Sequence, residues 1–212
     1  MFKELLKKTP LYSFWKEYRE IRGYWRWLKD GRPVPPPHGI KQGIIKEYAR
    51  NYHCQIFFET GSYQGDMIQA VKKNFKQIYS VELSETFYQN VKQRFKHDHH
   101  ITLLQGDSGE VVRDSLNHIH EPCLFWLDAH YSGGNTAKGE KLSPIMEEII
   151  PILNHTIKSH VILIDDAREF AGKDGYPDLV ELKQKVIRRR PDLSVMVELD
   201  IIRICENGKG KA

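Results

Sequence analysis

The chain has 212 residues, which is enough for one well-buried domain and few for two. It is 40% hydrophobic and 28% charged, as ordinary globular proteins are, and no apolar run approaches the roughly 20 residues that a membrane span needs. The net charge of +4 is too small to indicate nucleic-acid binding.

Three cysteines and the start of the chain bear on its compartment. Cys54, Cys123 and Cys205 each fall in or beside a predicted strand and have no zinc-binding spacing, which is typical of reduced, buried thiols. No signal-peptide pattern opens the sequence. We therefore expect a cytoplasmic protein.

Most of the positive charge lies in residues 1–32, which carry nine Lys/Arg against four Asp/Glu, while the other 180 residues sum to −1. Apolar periodicity predicts a helix over residues 11–30. One stripe of that helix is mainly aromatic and consists of Leu11, Phe14, Trp15, Tyr18, Ile21, Trp25 and Leu28. In one interpretation the stripe docks on the domain, caps the active site or pairs two subunits. In the other, this N-terminal segment attaches to an anionic membrane surface.

A glycine- and proline-rich stretch, residues 31–37, ends this helix and predicts an extended spacer. A further helix over about residues 40–51 then leads to the first strand. The predicted organisation is a helical arm with its spacer (1–38), one α/β domain (39–206) and a disordered tail (207–212). The first ten residues are also expected to be disordered.

The most informative motif follows the first apolar strand, where Glu59 precedes Gly61 and Gly65. Gly61 allows a turn with positive φ, and Gly65 allows close approach to the backbone. Dinucleotide sites use G-x-G-x-x-G, whereas these glycines are four residues apart. The carboxylate would repel a pyrophosphate but suits a ligand with a cationic amino group.

The next elements place further acids at strand ends. After a helix over 66–75, a strand over 77–82 ends at Glu82, about where a ribose-binding acid is expected in such folds. Ser84 is the predicted N-cap of the following helix. A third strand, 101–104, leads to Asp107. A plain reading makes Glu82 a strand-end acid and Asp107 a helix cap with Ser108.

These motifs together resemble class I S-adenosylmethionine-dependent methyltransferases, whose first motif is an acid followed by glycines four residues apart. The resemblance covers about residues 40–205 and implies S-adenosylmethionine as cofactor, with Asp107 contacting the adenine amine. The chain departs from the family in having only two glycines in this motif. The cofactor-binding residues that the resemblance implies are Glu59, Thr60, Gly61, Ser62, Gly65, Glu82, Leu83, Asp107, Ser108 and Asp128.

The second half of the chain continues the alternation of strands and helices. Ser143 is predicted to cap a helix with Pro144 at its first position, and Pro151 to kink or end it. The other predicted elements are a strand over 123–128, a glycine-rich loop over 129–139, a strand over 161–166, a helix over 176–190 and strands over 193–198 and 200–205. The pattern predicts an α/β, Rossmann-like fold: a mainly parallel seven-stranded sheet with helices on both faces and a C-terminal antiparallel hairpin.

Asp128 ends the fourth strand, and Asp165 and Asp166 end the fifth, so we expect the three carboxylates to converge. Such a cluster must hold a proton, pair with a base such as Arg168, or bind a cation; otherwise the acids are helix caps. Oxygen ligands favour Mg²⁺, Mn²⁺ or Ca²⁺. The placement resembles metal-assisted O-methyltransferases of the catechol and macrocin types. His130 is the predicted general base or an extra ligand, with Asp128 and Asp165 as the other catalytic residues.

The sequence thus predicts a methyltransferase that acts on an oxygen of a small polar acceptor such as a sugar hydroxyl. Assistance by a bound divalent cation is left open. The alternatives are a nucleotide-sugar glycosyltransferase and a non-catalytic module anchored by its arm. Expected partners are the small-molecule acceptor and, through residues 1–32, a second subunit or a membrane surface, with no nucleic acid.

Overall fold

A computed structural model describes residues 10–128, 143–173 and 175–208. They form a seven-stranded sheet in the order β3-β2-β1-β4-β5-β7-β6. The neighbouring strands from β3 to β5 pair in parallel, while β7 runs antiparallel to both β5 and β6. The strands are β1 (Ile56–Thr60), β2 (Gln77–Glu82), β3 (Ile101–Gln105), β4 (Cys123–Leu127), β5 (Val161–Ile164), β6 (Leu193–Glu198) and β7 (Ile201–Glu206). The predicted fold class is confirmed.

Helices cover both faces of this sheet. They are α2 (His38–Asn51), α3 (Asp66–Val71), α4 (Glu85–Arg94), α5 (Ser108–Ser115), α6 (Ile145–Asn154) and α7 (Leu179–Arg189), with short 3-10 turns at Leu116–His118 and Ala167–Glu169. Helix α1 (Pro10–Lys29) precedes them in the chain. Within the described ranges, no helix is long and apolar enough to cross a membrane.

Two hydrophobic cores lie on opposite faces of the sheet, because successive strand residues point to opposite sides. Phe57 belongs to the core that includes residues of α2, α3 and α4, and Phe58 to the core that includes residues of α5, α6 and α7. Every residue of β4 is buried. Since both faces are covered, the ends of the strands are the places where the sheet is open to a ligand.

Three helix boundaries differ from the predicted ones. Helix α3 ends at Val71, and the following turn packs Phe75 on Phe57 with ring centroids 5.1 Å apart. Helix α6 continues through Pro151 to Asn154, where its last turn buries Ile152 and Leu153. The predicted early end was wrong because this apolar face packs into the core. Helix α7 begins at Leu179, since the side chain of Asp178 caps it.

Helix α1 matches its predicted span, but three residues of its stripe do not dock on the domain. The side chains of Tyr18, Ile21 and Trp25 are 52%, 50% and 64% exposed. The opposite face of the helix contacts the spacer instead. There Trp27 is buried, and its indole N–H donates to the carbonyl of Pro33, 2.7 Å away. Docking of the stripe on the domain was therefore wrong for these three residues.

At the other end of the chain, the hydrogen-bonded structure extends past the predicted domain end. The backbone N–H of Asn207 donates to the carbonyl of Asp192, at 3.0 Å. The disorder predicted for residues 1–9 and 209–212 lies outside the described residues. All three cysteines are buried and free, as predicted.

Candidate active site

The carboxyl ends of β1 and β4 border the point where the strand order reverses. The chain runs outward from β1 through β2 to β3 and then returns to place β4 on the other side of β1. In open α/β sheets, ligands bind in the crevice at such a switch point. The carboxyl ends of β1, β2, β4 and β5 lie at this edge of the sheet, and most of the predicted site residues lie at these ends or just after them.

The loop after β1 is tied to β2 and needs its glycines. Gly61 and Gly65 both have positive φ, 86° and 74°. The backbone N–H groups of Gly61 and Ser62 donate to the carbonyl of Val81, at 2.9 and 3.1 Å. A Cβ atom on Gly65 would lie 2.7 Å from the ring of Phe95. Gly65 therefore allows the close approach of α4, the helix that Phe95 follows.

Glu59 lies beneath this loop and is only 2% exposed. Its Oε2 accepts a hydrogen bond from the hydroxyl of Ser80 at 2.6 Å, and that hydroxyl lies 2.5 Å from the hydroxyl of Ser62. Burial raises the pKa of Glu59 to about 8, although the Ser80 hydrogen bond opposes the shift. Glu59 thus links β1, β2 and the loop, and its direct contact with a cofactor stays a prediction.

Glu82 orders the backbone of the loops that follow β1 and β2. Its Oε2 accepts from the N–H of Tyr63 at 2.8 Å, and its Oε1 accepts from the N–H of Ser84 at 2.9 Å. Each oxygen keeps a second lone pair, which suits a pair of ribose hydroxyls. Leu83 is 37% exposed beside it. The half-exposed ring of Tyr63 packs 4.7 Å from that of Phe87 at the rim.

Two residues at the start of α5 have structural contacts of their own. Asp107 is the N-cap, and its Oδ1 accepts from the N–H of Gly109 at 2.9 Å. This is the helix-cap reading of the sequence, and it leaves the second carboxylate oxygen for a ligand. Ser108 is buried, and Ser84 caps α4 as predicted.

A buried acid that the sequence interpretation missed lies behind these residues. Glu148 of α6 is 1% exposed, and its Oε1 has no hydrogen-bond partner within the described part of the chain. Burial raises its pKa to about 7, while hydrogen bonds with Ser108 and Thr60 oppose the shift. Thr60 is also buried, and its hydroxyl accepts from the N–H of Asp128 at 3.2 Å. Glu148 was detectable as an acid at a helical position where the periodicity calls for an apolar side chain.

The three predicted acids at the ends of β4 and β5 do come together. Asp128, Asp165 and Asp166 each offer a carboxylate oxygen, and these oxygens lie within 4.8 Å of one another. Asp165 and Asp166 are buried, and Asp166 has a positive φ of 55°. Their separation is compatible with a shared cation.

Two basic side chains already contact this cluster. Lys41 of α2 forms an ion pair with Asp165, and its Nζ lies 3.9 Å from Oδ1 of Asp166. Arg168 binds Asp166 at 2.8 Å, as the sequence allowed. Burial and the charge of Asp128 raise the pKa of Asp165 to about 7, and Lys41 opposes that shift. The sequence interpretation missed Lys41 because this contact spans 124 residues.

The turn of the C-terminal hairpin also reaches the segment after β5. Leu199 and Asp200 both have positive φ, 53° and 62°, as in a two-residue hairpin turn. Asp200 forms an ion pair with the guanidinium of Arg168 and accepts the Arg168 backbone N–H at 3.0 Å. Asp200 was predicted as the first residue of a strand but lies in the turn. We call its two contacts with Arg168 the Arg168–Asp200 clamp.

One more polar contact lies near the acids at the ends of β4 and β5. Tyr176 hydrogen-bonds with Ser143 and lies near the charges of Asp166 and Asp128, and burial raises the pKa of its phenol above the ordinary value. Ser143 accepts the N–H of Ile145, but α6 has Pro144 at its N-cap, one residue later than predicted. His130 and the glycine-rich loop over 129–139 lie outside the described residues.

Comparisons with known proteins identify this architecture. No protein-family model matches the chain, and no curated protein is a close sequence match. Three solved structures illustrate the similarity in fold. The O-methyltransferase TomG from Streptomyces achromogenes, involved in tomaymycin synthesis and in complex with SAM, has a TM-score of 0.58 at 12% identity and covers 88% of each chain.

The other two are bound to SAH. The Podospora anserina methyltransferase PaMTH1 has a TM-score of 0.56 at 16% identity, covering 89% of this chain and 88% of its own. An O-methyltransferase from Bacillus cereus has a TM-score of 0.59 at 11% identity, covering 88% and 90%. The chain therefore has the fold of class I S-adenosylmethionine-dependent methyltransferases.

Replacing Glu59 by glutamine should flatten the dependence of stability on pH. With a pKa of about 8 in the folded protein and an ordinary value of 4.5, Glu59 keeps a proton that the unfolded chain releases, so stability falls as pH rises between those values. The slope is about 1.4 kcal/mol per pH unit for one group. In urea unfolding between pH 5 and pH 8, the free energy of unfolding of E59Q should fall with pH less steeply than that of the unmodified chain, by about this slope. E47Q, at an exposed position of α2, should keep the original slope; equal slopes for E59Q and the unmodified chain would mean that Glu59 is ionised.

Replacing Gly65 by alanine should destabilise the protein by about 1–2 kcal/mol or more, because φ is positive and the new methyl group would collide with Phe95. The matched control is G43A within α2, where a Cβ meets open space and a gain of about 0.5–1 kcal/mol is expected. Urea midpoints measure both. A neutral G65A would show that the loop adapts without its glycine.

Proposed function

We propose that this chain is an S-adenosylmethionine-dependent methyltransferase that methylates an oxygen of a small polar acceptor. The observation that carries the proposal is the acid-lined crevice at the switch point of the sheet, where Glu59, Glu82 and Asp107 lie at or just after the ends of successive strands, as in the family the sequence resembles. The comparisons support it, because three proteins of the same fold are methyltransferases bound to SAM or SAH.

The chemistry of the crevice fits a cationic nucleoside better than a diphosphate. Glu82 has lone pairs for two ribose hydroxyls, and the second carboxylate oxygen of Asp107 can accept from an adenine amine. Glu59 and Glu148 lie buried behind them with raised pKa values, so a nearby positive charge would favour their ionised forms. A pyrophosphate would meet these carboxyl groups unfavourably.

When bound, S-adenosylmethionine supplies an activated methyl group and leaves as the neutral thioether. The residues of the chain then have two tasks, to align the acceptor hydroxyl and to take its proton. Asp165 is suited to the second task, since its pKa of about 7 lets it exchange a proton near neutral pH. Asp128 shares that side of the crevice, and His130 remains a predicted base. Alignment contributes most of the rate by proximity.

In this proposal, the ammonium group of Lys41 neutralises the acid cluster in place of a metal ion, a choice that the sequence did not decide. The three acids are near enough to share a divalent cation, but Lys41 is paired with Asp165, and Arg168 with Asp166. A divalent ion bound to Asp165 would have to displace the ammonium group. The contacts therefore favour the base-neutralised cluster over the metal site.

Binding of S-adenosylhomocysteine tests the cofactor assignment. Isothermal titration calorimetry should show saturable binding, and E82Q should weaken it by about tenfold or more, since a hydrogen bond to a charged group contributes about 1.5–3 kcal/mol. E85Q, three residues away on the exposed start of α4, is the matched control and should bind normally. If the chain bound UDP-sugars and did not bind S-adenosylhomocysteine, the result would instead support a glycosyltransferase. Binding of neither ligand would support a non-catalytic module.

Titration with MgCl₂ and MnCl₂ tests the role of Lys41. The unmodified chain should bind neither ion saturably by calorimetry, whereas K41M, which leaves Asp165 without its basic partner, should gain affinity for both. K46M on the same helix is the matched control and should behave like the unmodified chain. Saturable binding to the unmodified chain that D165N abolishes would restore the metal site and contradict this assignment.

A further inference from the structure

Helix α1 has two faces with different partners. Trp27 is buried against the spacer through its bond to Pro33. At about 100° per residue, Tyr18 and Trp25 lie on the opposite side of the helix axis from Trp27. Both are more than half exposed, and Ile21 between them is 50% exposed. The side of the helix that bears the most exposed aromatic residues therefore faces away from its contact with the spacer.

Basic residues flank this exposed stripe. Arg22, Arg26 and Lys29 are exposed and lie within about 80° of Tyr18 around the helix. The guanidinium of Arg22 lies 5.8 Å from the centre of the Tyr18 ring, which keeps its charge beside the aromatic surface. A groove of about 580 Å³ beside this stripe is lined by Tyr18, Arg19, Arg22, Gly23, Trp25 and Arg26.

We propose that this face of α1 binds an anionic lipid surface. Tyrosine and tryptophan side chains prefer the boundary between water and acyl chains, and arginine and lysine beside them bind lipid phosphates. The charge of the chain has the matching distribution, since residues 1–32 hold an excess of five positive charges and the remaining residues are almost neutral. The helix would lie in the plane of the surface, and the domain would follow through the spacer.

Charge argues against a second copy of the chain as the occupant. Two α1 helices that packed stripe to stripe would bring the arginines of both copies together, with like charges opposed. The rest of the chain has a net charge of −1 and offers no general excess of acid to attract the arm. An anionic bilayer supplies both the negative charge and the apolar depth that Ile21 and Trp25 require. This inference does not depend on the proposed activity.

Co-sedimentation of the full chain with vesicles tests the proposal. Vesicles of phosphatidylcholine and phosphatidylglycerol in equal amounts should bind the protein, phosphatidylcholine alone should not, and high salt should weaken binding. Replacing Arg22, Arg26 and Lys29 by glutamine should weaken binding on the order of a hundredfold. W25S should also weaken it. The matched control replaces three exposed basic residues of α7, Lys183, Arg188 and Arg189, by glutamine and should bind as the unmodified chain does.

Circular dichroism and urea midpoints of every variant confirm that the comparison is made between folded proteins. No binding to the anionic vesicles, or equal binding by the α1 triple variant, would overturn the proposal. Two other outcomes would replace it. Binding of single-stranded RNA without vesicle binding would make α1 a nucleic-acid surface, and a concentration-dependent dimer abolished by W25S would make it a subunit contact.

Discussion

Burial of several carboxyl groups at the carboxyl ends of parallel strands is the constraint on which the rest of this structure depends. The parallel order of β1, β2, β4 and β5 brings their terminal acids to one edge, and helices on both faces limit the water there. Two bare charges about 5 Å apart cost roughly 3 kcal/mol at an effective dielectric near 20. The surrounding residues have to offset that cost, and they explain much of the local geometry.

The acids are stabilised in three different ways. Glu82 accepts two backbone N–H groups, Asp165 and Asp166 pair with Lys41 and Arg168, and Glu59 and Glu148 have pKa values raised into the neutral range. The side of the crevice at β1 and β2 therefore depends on backbone donors and protons, and the side at β4 and β5 on basic side chains. In the proposed function this division explains why the positively charged cofactor would bind on the first side, while the acids of the second side are already paired with basic residues.

Sequence patterns predicted the order of elements and much of the crevice, because periodicity and strand-end acids are local signals. The bounds of β2 and β6 and the capping role of Ser84 needed no tertiary information. Lys41 could not be found, since nothing near it in the sequence indicates a partner 124 residues away. The stripe of α1 indicated a surface that needs a partner, but only the burial of Trp27 on the other face shows which side of the helix its contact with the spacer leaves open.

The Arg168–Asp200 clamp has a consequence for how the protein is made. Asp200 lies in the last hairpin, and its carboxylate holds the segment that presents Asp165 and Asp166. During synthesis the strands β1 to β4 leave the ribosome before β7 does. Arg168 has no Asp200 to pair with until the hairpin of β6 and β7 has been made, so the two sides of the crevice are completed in sequence rather than together.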